Sequence, residues 1–352
     1  MIAKMRLRKR ENLKLILGPV DSSQLTKHHI GADASWFEGL RLEREKKFIN
    51  PSCWFLREIQ YVQTDKCGRG IVSRSSDISK HLYVSSSLLL QGELESQGLP
   101  PCEGAVNLAG ENLMNPLRWW NESYKKDLFS SRVDTTKALS RAIAASSSPP
   151  HSWVLVSGVA CYKPSLTAQY TEDSEWTPFD LLSRLVKEWE AAALLPEDVA
   201  KTTKQVIIRP GAVLGRDGGA MKQMLLPFWL GLGGTLGSGR QPFPWIHVSD
   251  LAGIIVHALE PPADTPPSSS PQVFNGVAPA LNTNYEFTKE LGRVLGRPTI
   301  LPVPGFVMNA LLGSERAVVL TQGQKVIPKR TLESGFQYNY PDLTSALKEI
   351  VN

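Results

Sequence analysis

Gly104-Ala-Val-Asn-Leu-Ala-Gly110 reads as a short buried strand that runs straight into a turn of small residues. Two runs of the same kind follow it, Trp153-Val-Leu-Val-Ser157 and Gln205-Val-Ile-Ile-Arg-Pro210. Their apolar continuity, without alternation, suits strands covered on both faces. Between them lie Ser130 to Ala145, with Val133, Ala138, Leu139 and Ile143 on a helical period, and the amphipathic stretch Asp180 to Ala193. Upstream, Gly70-Ile-Val-Ser-Arg74 reads as the second strand of the same sheet. Strands alternating with helices at this spacing predict βαβ units and a parallel sheet.

The expected fold is therefore α/β, a doubly wound parallel sheet of Rossmann type with a small C-terminal lobe on the substrate side. Such a sheet normally opens with a strand and a glycine-rich turn whose N–H groups cradle a pyrophosphate. Residues 1–67 contain no such turn. The short run Leu13 to Leu17 can form a strand, but Pro19 and Val20 follow it where free N–H groups and positive φ are required. The first strand and its turn are thus expected to be missing or replaced. After Arg209 the text changes: helices at Leu251 to Leu259 and Asn284 to Leu295 flank a Pro/Ser-rich linker, Pro261 to Pro271, and turn signals at Gly305, Gly313, Gly323 and Gly335 mark the closing lobe.

Composition narrows the function classes. The chain has 352 residues, 42% hydrophobic and 21% charged, enough for one large or two modest cores. Its net charge of +5 owes much to Lys4, Arg6, Arg8, Lys9 and Arg10, and no basic stripe crosses the folded part, which argues against a nucleic-acid partner. Cys53, Cys67, Cys102 and Cys161 lack metal-ligand spacing and read as reduced thiols, so no metal is expected. No apolar stretch approaches the ~18 residues of a membrane span. The expected location is cytoplasmic, with the basic start leaving a mitochondrial presequence as the alternative.

Chemistry is sought just past each buried run, where parallel strands face the ligand crevice. Ser73 and Arg74 offer a hydroxyl and a guanidinium where an acidic residue would select NADH; they suit the 2′-phosphate of NADPH, or else Arg74 simply faces solvent. Asn107 to Gly110 lets the backbone approach a flat ligand. Asp127 and Arg132 read as surface charge, with Arg132 the better candidate for a phosphate. Ser157 is the one hydroxyl placed to orient a carbonyl or alcohol, with Tyr162 nearby. A catalytic tyrosine activated by a lysine one turn on is missing from the helix that should carry it, which reads Asp180-Leu-Leu-Ser-Arg-Leu-Val-Lys-Glu-Trp-Glu190. Gly231 to Arg240 lacks the strand and helix a G-x-G fingerprint requires and reads as a mobile substrate-side loop, Arg240 being either exposed or set against a substrate anion. His247 reads as structural, on a strand that delivers Ser249 or Asp250 as N-cap to a helix beginning at Leu251.

Taken in order, Val72-Ser-Arg74, Asn107 to Asn112, Ser157-Gly, Trp189-Glu-Ala-Ala, Arg209-Pro-Gly-Ala-Val-Leu-Gly215, Gly218-Gly-Ala-Met, Gly-Ser-Gly-Arg240, Trp245-Ile-His-Val and Gly323-Gln-Lys-Val-Ile-Pro-Lys-Arg330 resemble the epimerase family of the atypical extended short-chain dehydrogenase/reductases. The resemblance runs from about Gly68 to Asn352; residues 1–67 match nothing in it and are expected to be an atypical, poorly ordered leader, a substituted start. It implies a Rossmann domain over 68–290, a C-terminal domain of unknown role over 297–349, and NADP as cofactor. It also implies cofactor contacts at Ser73, Arg74, Leu108, Ala109, Asp127, Arg132 and Val213. Members tend to lack the Tyr-Lys pair. The function expected is an NADP-dependent oxidoreductase or epimerase-like protein acting on a small carbonyl, alcohol or sugar-nucleotide substrate. A non-catalytic NADPH-binding sensor or scaffold is the alternative.

Overall fold

The computed structural model describes residues 98–115, 118–216, 219–260 and 270–352, together with Leu94 and the backbone of four short upstream strands. Those four are β1 (Lys14–Ile16), β2 (Gln63–Thr64), β3 (Gly70–Ile71) and β4 (His81–Val84). They are followed by β5 (Gly104–Asn107), β6 (Ser152–Val156), β7 (Gln169–Tyr170), β8 (Lys204–Pro210), β9 (Ala212–Leu214), β10 (Trp245–His247), β11 (Gln272–Gly276) and β12 (Lys325–Val326). The main sheet has the order β11-β8-β6-β5-β4-β1-β3-β2, parallel from β11 through to β1.

Period-two side-chain alternation divides each central strand between two cores. Ala105, Trp153, Leu155 and Ile207 pack against Leu139 and Ile143 of the helix Thr135–Ala144 and against Leu182, Leu185 and Trp189 of the helix Leu181–Ala192. The intervening residues Val106, Val154, Val206, Ile208 and Phe274 face Leu251, Ile254, Ile255 and Leu259 of the helix Val248–Leu259. The sheet is thus covered on both faces, as its uninterrupted apolar runs require. A third core joins Trp245, Phe287 and Leu291 to Leu343, Leu347 and Ile350 of the last helix, Leu343–Val351.

The helices start where hydrogen-bond accounting places them. Asp180 caps Leu181–Ala192 in a reciprocal box with Ser183, and Thr283 does the same with Glu286 for the helix Asn284–Leu295. Three expectations are corrected. The helix expected to begin at Leu251 begins at Val248, because His247 takes the cap position and its Nδ1 accepts the Ser249 N–H at 3.2 Å; Asp250 instead accepts the N–H groups of Asn339 and Tyr340 at 2.7 and 2.9 Å. Within the run Gly70–Arg74 the described part, Gly70–Ile71, pairs antiparallel with β1 and β2 rather than as a parallel second strand, and His81–Val84 lies beside β5.

The third concerns the glycine-rich segment after Trp229, expected to be mobile. It is tied down by Val303 N–H on Thr235 O, Gly237 N–H on Val303 O, Tyr285 N–H on Gly239 O and Leu236 N–H on Asn284 Oδ1. A Cβ on Gly234 would stand 1.6 Å from Leu301 O, so glycine is needed there for backbone to meet backbone. The leader otherwise lies outside the described residues.

Two outcomes follow from this packing. Trp153 is 1% exposed and donates its indole N–H to Ala193 O at 2.9 Å, so Trp153→Ala should lower the unfolding free energy by about 3–5 kcal/mol in urea titration. Glu290 is held down to about 2 from 4.5, chiefly by its hydrogen bonds from Arg293, against some burial and with help from Thr344. A carboxylate lowered in the folded state stabilises fully above its unfolded value and loses that contribution as pH falls through its folded one. The stability difference between the native protein and Glu290→Gln should therefore be constant above about pH 4.5 and vanish toward about pH 2, as read by acid unfolding.

Candidate functional site

The carboxyl ends of β5, β6 and β8 carry the residues from which a site can be built. At the end of β5, Asn107 is fully buried; its Oδ1 accepts the Ala109 N–H at 2.9 Å and its Nδ2 donates to Thr136 Oγ1 at 2.8 Å. That side chain fixes the turn Leu108-Ala109-Gly110. Thr136 also accepts the Trp189 indole N–H at 2.9 Å and donates to Arg132 O at 2.6 Å, which leaves its hydroxyl fully used.

Arg132 lies in a π-helical turn, Ser130–Asp134, inserted between the helices Glu122–Phe129 and Thr135–Ala144. Such turns re-aim side chains and recur at functional sites. Its guanidinium is buried, donates to Glu111 O at 2.8 Å and Leu128 O at 3.3 Å, and lies 5.2 Å from the Trp189 ring centre. No carboxylate pairs with it among the described residues, and burial pushes it down to about 10, with Glu111 pulling the other way. Gly110 rests on this cation: a Cβ there would come within 2.8 Å of the guanidinium carbon. Among the described residues this buried positive charge meets carbonyls and an aromatic ring but no carboxylate, which gives it the chemistry to receive an anion beside the tip of a parallel strand.

A second cluster stands at the ends of β6 and β8. Glu190, on the buried face of Leu181–Ala192, accepts Arg209 Nε and Nη2 at 2.8 Å each, and Ser157 Oγ donates to Glu190 Oε1 at 2.9 Å. Burial works against the charge on Arg209, but its bonds to Glu190 outweigh it and hold the guanidinium above its ordinary value. Arg209 also donates to Tyr162 OH at 3.0 Å, and that hydroxyl lies 3.0 Å from Asn275 Oδ1 and 3.1 Å from Thr171 O. Burial pushes Tyr162 up to about 12 and Cys161 likewise up to about 12, so at neutral pH both stay protonated.

The network continues into the closing segment. Asn275 Nδ2 donates to Ile327 O at 3.0 Å, Glu172 accepts the N–H groups of Asn275 and Arg330 at 2.8 and 3.1 Å, and Gln324 Nε2 donates to Tyr162 O at 3.0 Å. β12 adds to β7 in parallel, and a Cβ on Gly323 would stand 1.8 Å from Pro242 O. The Gly323–Arg330 motif is therefore a docking strip fastened to the loop that follows β6.

Residues 303–350 match a family described as a domain of unknown function (DUF1731). Over 260 residues, 74% of this chain and 85% of the relative, the chain is 56% identical to the epimerase family protein SDR39U1 of Bos taurus. The chain belongs to the epimerase family. It is also 36% identical over 282 residues to the epimerase family protein SSP1921 of Staphylococcus saprophyticus, covering 80% of this chain and 90% of that one. The crystal structure of human epimerase family protein SDR39U1 (isoform 2) with NADPH superposes with a TM-score of 0.70 at 52% identity, over 77% of this chain and 90% of that one. UDP-glucuronic acid 4-epimerase from Bacillus cereus in complex with NAD shares the fold, at a TM-score of 0.54 and 14% identity over 74% of this chain and 73% of that one.

Set against the epimerase-family expectations, the positions fall into three groups. Leu108 and Val213 pack into one cluster with Ile208 and Ile246, Ala109 is fixed by Asn107, and Arg132 lies against Gly110, so these four come to the strand ends. Asp127 is partly exposed and joined to Arg118 at 2.7 Å, outside the Arg132–Thr136 network. Ser73 and Arg74 lie outside the described residues. His247 has the orienting partner that its sequence neighbours do not supply: Glu349 Oε2, 102 positions on, stands 3.0 Å from its Nε2.

The spacing Tyr-x-x-x-Lys does occur once, at Tyr285 and Lys289. There Tyr285 is exposed and Lys289 donates to Thr299, away from the strand ends. The pair that sequence reasoning missed is Glu190 with Arg209. Its signal was a carboxylate on an otherwise apolar helix face and a guanidinium closing an apolar strand.

Removing one member of a buried pair leaves the other charge bare. Glu190→Gln should cost about 3–5 kcal/mol in urea unfolding. The double replacement Glu190→Leu with Arg209→Met should cost less than either single change.

Proposed function

We propose that the crevice at the ends of β5, β6 and β8 binds NADPH, and that the chain is an NADP-dependent oxidoreductase or epimerase-like enzyme acting on a small carbonyl, alcohol or sugar-nucleotide substrate. One observation carries this reading: the buried Arg132 guanidinium, with only carbonyl partners among the described residues, held against the Gly110 turn. The 52% identical human relative crystallised with NADPH supports it.

The residues present fit such a group. Arg132 offers charge to a phosphate, the Leu108–Gly110 backbone gives close approach to a flat ligand, and Leu108 and Val213, both packed on the same apolar cluster, offer it apolar surface. In the sequence, Ser73 and Arg74, outside the described residues, carry the hydroxyl and guanidinium that suit a 2′-phosphate. Asp127 stands at the rim, paired with Arg118. The nucleotide, when bound, supplies or accepts a hydride. The protein's part is orientation: Ser157 at the end of β6 meets the reacting end, and the Glu190–Arg209 pair holds Ser157.

A second reading, a protein that binds NADPH without turning it over, is favoured by the state of Tyr162. That phenol is fully buried, pushed up to about 12 and committed to Arg209, Asn275 and Thr171, so it supplies no proton to a ligand in the crevice.

Fluorescence titration with NADPH tests both readings. The native protein should bind and prefer NADPH to NADH, and Arg132→Met should weaken binding by about tenfold or more, the worth of a charge-assisted contact. Arg74→Ala should abolish the preference for NADPH over NADH; an unchanged preference overturns the cofactor assignment. Turnover on a panel of carbonyls and alcohols supports the enzyme, and binding without any turnover supports the sensor.

A further inference from the structure

Ser157 has one hydroxyl hydrogen and, among the described residues, two protein groups within reach of it. Glu190 Oε1 stands at 2.9 Å and Ile208 O at 3.4 Å, and both are acceptors. Glu190 takes Arg209 on both oxygens at 2.8 Å, in a bidentate pair that is nearly closed to solvent. A carboxylate gripped this way by a permanent cation has no hydrogen to give. The Ser157 hydrogen therefore goes to Glu190, in a charge-assisted bond, and only lone pairs remain on Oγ for anything that arrives in the crevice.

We propose that Glu190 and Arg209 fix Ser157 as a hydrogen-bond acceptor, so that the ligand group docking on Ser157 Oγ brings its own N–H or O–H. This deepens the reading of the crevice as a nicotinamide nucleotide site. Two groups there carry the required chemistry, the carboxamide N–H of the cofactor and the hydroxyl of an alcohol substrate. A carbonyl oxygen placed on Ser157 meets lone pair with lone pair, and turning the hydroxyl to greet it gives up the bond to an ionised partner. Ser157 thus selects the hydroxyl form of a substrate over the keto form, and Glu190 is the positioning residue that imposes the choice.

Because loss of Glu190 bares Arg209, the test rests on Ser157 and on the unaltered protein. Neutron diffraction on deuterium-exchanged, ligand-free crystals should place the Ser157 deuterium between Oγ and Glu190 Oε1; a deuterium directed into the crevice overturns the proposal. Binding is then compared for two matched pairs: NADPH with its 3-acetylpyridine analogue, in which a methyl replaces the amino group, and cyclohexanol with cyclohexanone on the NADPH-loaded protein.

The donor member of one pair should bind about fivefold more tightly, the worth of one neutral hydrogen bond. The preference should disappear in Ser157→Ala and return in Ser157→Thr. A preference confined to the nucleotides identifies the carboxamide, and one confined to the small probes identifies a substrate hydroxyl. Equal binding within both pairs, or a preference that survives Ser157→Ala, overturns it. If NADPH does not bind at all, the proposed function fails, and the neutron map still decides the state of Ser157.

Discussion

The ion pair between Glu190 and Arg209 is the constraint on which the rest of this site depends. Two charges taken out of water are costly unless each meets the other in good geometry and the leftover lone pairs and hydrogens are also used. Here the demand is met in both directions: Arg209 spends donors on both oxygens of Glu190 and on Tyr162, and Glu190 has an acceptor site left for Ser157. A helix, two central strands and the loop after β6 are thereby fixed to one another. Through Asn275 and Glu172 the same chain of bonds reaches Ile327 and Arg330. Such networks are stiff because any one broken link leaves a polar group stranded in a medium of low dielectric.

Arg132 is the counter-example a short distance away. It is as deeply buried as Arg209, yet carbonyls alone serve it among the described residues, and its field is not cancelled. One cation is matched by a carboxylate, and the other, among the described residues, is not. The difference lies in the company each keeps, since both sit in helices or strands of the same sheet. The π-helical turn contributes to that distinction by presenting Arg132 to the Gly110 backbone.

Much of the fold was legible because the central strands are covered on both faces. Trp153 to Val156 and Gln205 to Ile208 have no polar alternation, and they form the strands expected of them. The stretches Asp180 to Ala193 and Asn284 to Leu295 form helices nearly to the residue. The failures came where the deciding partner is remote in sequence. His247 caps a helix because Glu349 holds its far nitrogen, and the glycines after Trp229 are pinned by Leu301 and Val303. The site divided in the same way: Ala109 and Arg132 could be reached from local text, whereas pairing Glu190 with Arg209 requires knowing which helix face lies over which strand.

The helix Leu343–Val351 has a consequence for how the molecule holds together. Leu347 and Ile350 complete the core around Trp245 and Phe287, Glu349 orients His247, and the Glu349 carbonyl accepts Arg216 at 2.6 Å. One helix thus closes an apolar core and engages both an imidazole and a guanidinium, so loosening it uncovers all three together.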